Sequence, residues 1–257
     1  LEMINIMNPD SSISDKAPKE YRGMSREAAR KQIVSDLKDI NHLIKEEDYL
    51  HKVGYSERGN VPIEYYLSEQ WFLKMEDLAK PAISAVRNKE INFYPNHWVK
   101  TYNHWMDNIQ DWCISRQLYW GHQIPVWYKK DADRSNQDNW FVSTTPPTDL
   151  ENWEQDNDVL DTWFSSWLWP FAVHGWPDIK TTKYFPTNAL VTGPDIIFFW
   201  VARMIMSGYE FMGDLPFKDV YFTSILRDDK GRKLSKSLGN SPDPVSYTHL
   251  TLPTRYR

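Results

Sequence analysis

The sequence predicts an α/β fold built on a parallel sheet, and three observations carry that prediction. First, Ala189–Thr192 and Asp219–Thr223 are short apolar runs of strand character. Second, the segment between them, Asp195–Tyr209, is apolar and long enough for a helix. Strand, helix, strand with both strands apolar is the pattern of parallel strands joined by a crossover. Third, each run ends in a turn-forming or polar loop, Thr192–Asp195 and Ser224–Asn240. Ligands of such sheets bind outside the carboxyl ends of the strands, so these two loops are where function is sought.

The remaining elements follow in chain order. Asn8-Pro-Asp-Ser-Ser12 is a turn signal. Met24–Asn41 reads as a helix with Ser25 as N-cap, because Ala29, Ile33, Leu37 and Ile40 recur at helical spacing. Tyr55–Tyr66 carries Gly59, Asn60 and Pro62 between β-prone residues and reads as a hairpin or irregular ribbon. Ser68–Arg87 is expected as a second helix, with Trp71, Met75, Leu78, Ala82 and Val86 on one face and a kink possible at Pro81. Pro95–Asp107 is a third, and His122–Tyr128 a strand. Lys129–Asn157, rich in Asp, Asn, Ser, Thr and Pro, reads as a variable loop or small ribbon. Asp149–Asp161 holds six acidic residues and no basic one, and is expected as a solvated face that repels phosphate.

Composition excludes several classes. A net charge of -5 over 257 residues is not that of a basic nucleic-acid coat protein, although a local basic site remains compatible with it. One cysteine leaves no disulfide framework and no multi-cysteine metal centre, and it fits a reducing compartment. The longest apolar run, Ile196–Met206, is too short to span a bilayer and contains Arg203, so no membrane partner is expected. Leu1–Asp10 lacks the basic start and cleavage site of a secretory signal. With 13 Trp, 14 Tyr and 11 Phe, the chain has the material for aromatic pockets.

The sharpest local signal is Arg227–Asn240. Five of the ten residues Arg227–Lys236 are basic, Gly231 and Gly239 bracket the loop, and Lys233, Ser235, Lys236 and Ser237 place two ammonium groups and two hydroxyls together. That set suits a polyphosphate; on composition alone a solvated basic turn is the alternative.

Spelled Lys233-Leu-Ser-Lys-Ser237, the loop resembles the KMSKS signature of class I aminoacyl-tRNA synthetases, with Leu at the apolar Met position. Asn108–Pro125, Asp158–Ser166, Val191–Trp200, Gly54–Arg58 and Leu67–Trp71 resemble motifs of the valine-specific branch of that class, in the same order. The resemblance runs from about Gly23 to Pro244, and more loosely from the start.

The resemblance implies a fold and a chemistry. The fold is the second half of a Rossmann-like class I catalytic domain with parallel strands, preceded by the distal end of an inserted editing domain. Residues 1–50 are assigned to that insertion. Residues 51–130 form a connecting ribbon and helices leading back to the catalytic core, and 131–157 a variable loop. Residues 158–244 are assigned to the C-terminal half of the catalytic domain, and 245–257 to a non-native tail. The reaction is attack of the valine carboxylate on the ATP α-phosphorus, then transfer of valine to tRNA(Val). ATP with Mg2+ is a substrate, no zinc is expected, and the location is cytoplasmic.

Residue roles also come from the resemblance. Lys233 and Lys236 would stabilise the leaving pyrophosphate by charge. Thr192, Gly193, Asp195, Ser235, Lys236 and Ser237 would bind ATP, with Asp195 on the ribose or on the substrate ammonium; a plain N-cap is its alternative. Trp163, Ile196 and Trp200 would form a small valine slot. Such a slot rejects isoleucine by size but not the isosteric threonine, a known property of valine-specific synthetases rather than a result of this sequence. A hydrolytic editing site is therefore expected, with Asp10 as its candidate and a turn-forming role as the alternative. Arg116 is open between tRNA or adenylate contact and holding the core.

Two features of the family are absent. None of the seven histidines forms a His-x-Gly-His run, which the family places before the insertion, and Val245–Arg257 resembles nothing that follows the loop there. The chain is thus expected to be an excerpt without aminoacylation activity of its own. A non-catalytic tRNA-binding module and an isoleucine-specific synthetase are the other readings. A His-x-Gly-His run upstream would decide against the module.

Overall fold

The computed structural model describes residues 4–56, 59–178, 183–235 and 238–241. The chain divides into two compact units, Leu1–Glu69 and Gln70–Arg257. The division falls inside the segment 51–130, expected from the sequence as a connector.

In the first unit the turn signal at Asn8–Ser12 closes a bridge between Met7 and Ile13, and the Asn8 N–H donates to the Ser12 carbonyl at 2.8 Å. Helix α1 (Arg26–Asp39) is capped by Ser25, whose hydroxyl accepts from the Ala28 N–H at 3.2 Å. A small cluster of Ile13, Ala17 and Ala29 is its core. The ribbon near 55–62 closes through a Tyr55–Pro62 bridge, and Arg30 holds Glu64 through two bonds of 2.8 and 2.9 Å. Positions 57 and 58 of that ribbon lie outside the described residues.

The second unit begins with β1 (Phe72–Leu73), α2 (Glu76–Arg87), β2 (Asn92–Tyr94), α3 (Trp98–Asp107), β3 (Trp112–Cys113) and β4 (Ser115–Arg116). The helix expected from Ser68 starts eight residues late. The backbone before it is committed elsewhere: Phe72 and Leu73 pair antiparallel with Cys113 and Trp112, and the Trp71 N–H donates to Ser115 Oγ at 2.9 Å. Pro81 lies inside α2.

Next come β5 (Val126–Lys129), β6 (Trp140–Val142), β7 (Trp153–Gln155) and β8 (Val159–Leu160). Strand β5 pairs antiparallel with both β6 and β7, so of the two readings of 129–157, variable loop or small ribbon, the structure shows a three-stranded ribbon with β5 at its centre. Ile124, Val126 and Tyr128 bury its inner face against Trp71, Trp140 and Leu160. The acidic run alongside is not simply a solvated face. Asp156 Oδ2 accepts from Trp71 Nε1 and from the Tyr128 hydroxyl, both at 2.8 Å, and Asp161 is buried. Apolar neighbours with polar tips need acceptors inside the fold, and these carboxylates supply them.

The chain continues through α4 (Thr162–Ser166), α5 (Trp169–Ala172), β9 (Thr187–Thr192), α6 (Arg203–Ser207) and β10 (Phe217–Phe222). The parallel sheet has the order β2-β10-β9. Val220 on the central strand faces Phe93 on one side and Leu190 on the other. The crossover between β9 and β10 is helical but irregular. It opens with a 3-10 turn at Pro194–Ile196 and widens to π turns at Ile197–Ala202. One regular α turn, α6, then precedes a second π stretch at Gly208–Met212. Four bulky residues in sequence, Ile197-Phe-Phe-Trp200, sit in the first wide stretch. Val201, Met204, Ile205 and Met206 are fully enclosed and pack with Ala82 of α2, Tyr102 and Met106 of α3, and Phe217 and Val220. No helix among the described residues is long and apolar enough to cross a membrane.

Ile205 is inaccessible to solvent, so Ile205→Ala is expected to cost about 2–5 kcal/mol, the range for a truncated core side chain. Urea unfolding of the protein carrying the substitution measures it; a loss below ~1 kcal/mol would place Ile205 outside the core.

Candidate active site

Strands β9 and β10 run parallel and in register, so the loops that follow them emerge side by side. The Thr192 carbonyl accepts from the Thr223 N–H at 2.9 Å, which fixes their starting points, and Thr192 is buried. Gly193 leaves room for the Asp195 carboxylate: a Cβ there would lie 2.6 Å from Asp195 Oδ1, and the carboxylate would have to move. The Asp195 carboxylate leaves the turn half-exposed and accepts from Lys233 Nζ at 2.8 Å. That ammonium holds the Asp195 carboxyl below its ordinary pKa. A depressed carboxyl pKa means that the ion pair is present above the ordinary Asp range and is lost as pH falls through the lowered value.

Lys233 reaches Asp195 because the described residues of this loop, 224–235 and Asn240, are tied by their own side chains. Arg227 and Lys233 form an antiparallel bridge, the Asp228 N–H donates to the Arg232 carbonyl at 2.9 Å, and Gly231 takes the turn at φ 74°. Asp228 accepts the Lys230 and Arg232 amides at 3.0 and 2.8 Å. Asn240 Oδ1 accepts from the Ser235 N–H at 2.8 Å, while its amide nitrogen donates to Asp228 Oδ2 at 3.0 Å and to the Lys233 carbonyl at 3.3 Å. Lys236 and Ser237 lie outside the described residues.

Trp163, Ile196 and Trp200 are half-buried. The structure brings the two tryptophans onto adjoining elements. Trp200 Nε1 donates to the Ser166 carbonyl of α4 at 3.0 Å, and the Trp163 ring stacks on Phe199 with centroids 5.9 Å apart. Ile196 lies in the turn at the head of the same helical segment, one position after Asp195.

Below these aromatics lies a charged hub. Asp161 Oδ1 caps α4 by accepting the Trp163 N–H at 3.0 Å. Its Oδ2 accepts from Trp112 Nε1 at 3.0 Å and Arg116 Nη2 at 2.6 Å, with Arg203 Nη1 3.9 Å away. The Arg203 guanidinium lies 3.5 Å from the Trp112 ring centroid, and burial pushes its pKa down to about 10. Arg116 also donates to the carbonyls of Cys113 and Ser115. Three of its donors are thus engaged within the fold, although the side chain is partly exposed.

Asp10 belongs to the first unit. Its carboxylate accepts from the Ser12 hydroxyl at 2.6 Å and the Ser12 N–H at 2.9 Å, which hold it ionised below the usual Asp range. It also lines an open cavity of about 500 Å³ with Ser11, Ser25 and Arg26. Among the described residues no three His, Cys, Asp or Glu side chains converge as a metal site.

The family model for tRNA synthetases of class I, the isoleucine, leucine, methionine and valine group, matches residues 7–249. The chain belongs to the class I tRNA synthetases. It is similar to the valine--tRNA ligase of Chlorobaculum tepidum, at 55% identity over 254 residues, 95% of this chain and 27% of that protein. Against the valine--tRNA ligase of Bacillus subtilis the identity is 53%, over 95% of this chain and 28% of the relative. The chain thus spans little more than a quarter of the length of these relatives. Two structures of Mycobacterium tuberculosis methionyl-tRNA synthetase with methionyl-adenylate match its fold. Their TM-scores are 0.53 and 0.51 at 19% and 20% identity, and both cover 76% of this chain and 34% of the other.

Within this class I synthetase chain, three residues of the site region escaped sequence reasoning. Asp228 and Asn240 looked like loop composition, although Asn240 directly follows a glycine and closes the basic run. Arg203 looked like an interruption of an apolar helix. Its signal was burial itself: an Arg amid Ile196–Met206 has to find a partner inside the fold.

Asp161→Ala is expected to destabilise by about 3–5 kcal/mol, since it strands the buried Arg203 charge and uncaps α4. Replacing both Asp161 and Arg203 with apolar residues is expected to recover part of that loss. Equilibrium unfolding of the single and double variants measures the coupling.

Proposed function

We propose that the protein carrying this chain is a valine--tRNA ligase, which activates valine with ATP to valyl-adenylate and transfers it to tRNA(Val). The observation that carries the reading is the meeting of Lys233 with Asp195 at the carboxyl ends of paired parallel strands. High identity to valine--tRNA ligases supports the choice of amino acid. This chain would then be the second half of the catalytic domain, with residues 1–50 from the far end of the editing insertion.

The catalytic work in this reading is positioning and charge stabilisation, with no covalent protein intermediate. The valine carboxylate attacks the α-phosphorus, and pyrophosphate leaves. Lys233 and Lys236 neutralise the charge that gathers on that leaving group, with Ser235 and Ser237 donating hydrogen bonds. Mg2+ accompanies ATP as part of the substrate. Lys233 exchanges its Asp195 partner for phosphate when ATP enters. Asp195, released, accepts from a ribose hydroxyl or from the substrate ammonium, while Gly193 lets the nucleotide approach the backbone beside Thr192. Trp163, Ile196 and Trp200 enclose the valine side chain. Asp10, ionised and on a cavity wall, is assigned to the hydrolysis of mischarged threonine. Arg116 is assigned to the core, since it bonds the buried Asp161 and two backbone carbonyls.

The test is ATP–pyrophosphate exchange by the full-length enzyme. Lys233→Ala is expected to lower the exchange rate by about 100-fold, as loss of one charge-stabilising donor does elsewhere, with the KM for valine unchanged. Exchange stimulated equally by leucine or isoleucine in the wild type would refute valine specificity.

A further inference from the structure

The loop after β10 would be expected to wander, since it is polar, exposed and carries five positive charges near its tip. Its conformation is instead set by two side chains that carry none of those positive charges. Asp228 stands at the start of the turn and Asn240 at its end, and between them lies the whole segment with Lys233 and Ser235.

Asp228 is nearly enclosed, with 8% of its side chain accessible, although the Arg232 beside it is 50% accessible. It accepts four bonds. Oδ1 takes the amides of Lys230 and Arg232, and Oδ2 takes Arg232 Nε at 2.8 Å and Asn240 Nδ2 at 3.0 Å. The Asn240 amide lowers the Asp228 pKa more than any other contact, so the carboxylate is the form that the loop is built around.

Asn240 uses both ends of its amide. Its oxygen takes the Ser235 N–H, and its nitrogen gives to Asp228 and to the Lys233 carbonyl. Only an amide offers an acceptor and two donors at those places. A carboxylate in its place would face two acceptors with no hydrogen to give them, and an alanine would remove all three bonds.

We infer that Asn240 and Asp228 are positioning residues for the ATP half-reaction, joined as a clamp that fixes the backbone on both sides of Lys233. This rests on the assignment of Lys233 to the pyrophosphate. Lys233 has four rotatable bonds, and a fixed backbone at 233 and 235 limits where its ammonium can go. The clamp acts before the transition state, by removing loop conformations that cannot deliver charge to the leaving group.

The experiment uses the full-length enzyme with four variants: Lys233→Ala, Asn240→Ala, Asn240→Asp and the exchanged pair Asp228→Asn with Asn240→Asp. The KM for ATP, the exchange rate, the KM for valine and Tm are measured for each. Asn240→Ala and Asn240→Asp are expected to raise the KM for ATP or lower the exchange rate by about 10-fold, the scale of one or two lost hydrogen bonds, one of them to a charged group. Tm and the KM for valine should stay near wild type. The exchanged pair should recover a small part of the loss: the amide placed at position 228 can donate to the carboxylate placed at position 240, which still accepts the Ser235 N–H, while the bonds to Arg232 Nε and the Lys233 carbonyl are not restored. A clamp that merely stabilises the fold would lower Tm and disturb valine binding as well, and that result overturns the inference. So does an Asn240→Ala enzyme within twofold of wild type when Lys233→Ala is impaired. If Lys233→Ala is itself unimpaired, the assignment beneath the inference fails with it.

Discussion

The in-register parallel pairing of β9 with β10 is the constraint on which the site depends. Parallel neighbours must be joined by a crossover, and here the crossover is the helical run from Pro194 to Met212. Its apolar face becomes the core, with Val201, Met204 and Ile205 fully enclosed. The pairing also puts both strand ends at one edge. Residues separated by 38 positions, Asp195 and Lys233, then meet, with the Thr223-to-Thr192 bond fixing the loop roots and Asp228 and Asn240 holding the loop itself.

A second layer of the architecture is electrostatic, and it is costly. Arg203 sits in the core with two of its nitrogens, Nε and Nη1, lacking a hydrogen-bond partner among the described residues. Desolvation of that charge is offset by Asp161 and by the face of Trp112. A leucine would pack there at less expense. What the charge adds is orientation: Asp161 ties Trp112, Arg116 and the amide of Trp163 to one point, and the aromatic wall of α4 inherits that point.

Much of this was legible in the sequence where pattern and chemistry agree. The strand runs ending at Thr192 and near Phe222, the Ser25 cap, α3 and the basic loop all follow from local residue types. The start of α2 was not legible. Ser68–Leu73 has helical spacing, but its backbone donors and acceptors are claimed by Trp112–Ser115, some forty positions away, and no local rule reports such a claim. The uneven crossover was hidden as well: an apolar run predicts a helix but not the width of its turns. The acidic run misled because charge was counted without asking which indole or phenol lay opposite. Of the loop, the lysines and serines were visible, whereas Asp228 and Asn240, which act on its backbone, were not. Lys236 and Ser237 lie beyond the described residues, so the second lysine rests on the sequence resemblance.

The Asp195–Lys233 contact has a consequence for how the loop behaves. Both side chains are well exposed, at 41% and 62%, and ion pairs of that kind contribute roughly 0–1 kcal/mol. A pair of that strength is given up at little cost. Within the described residues Asp228 and Asn240 hold the backbone at 233 and 235 by bonds that do not involve the Lys233 ammonium. The ammonium can therefore change partner while the backbone that carries it stays tied.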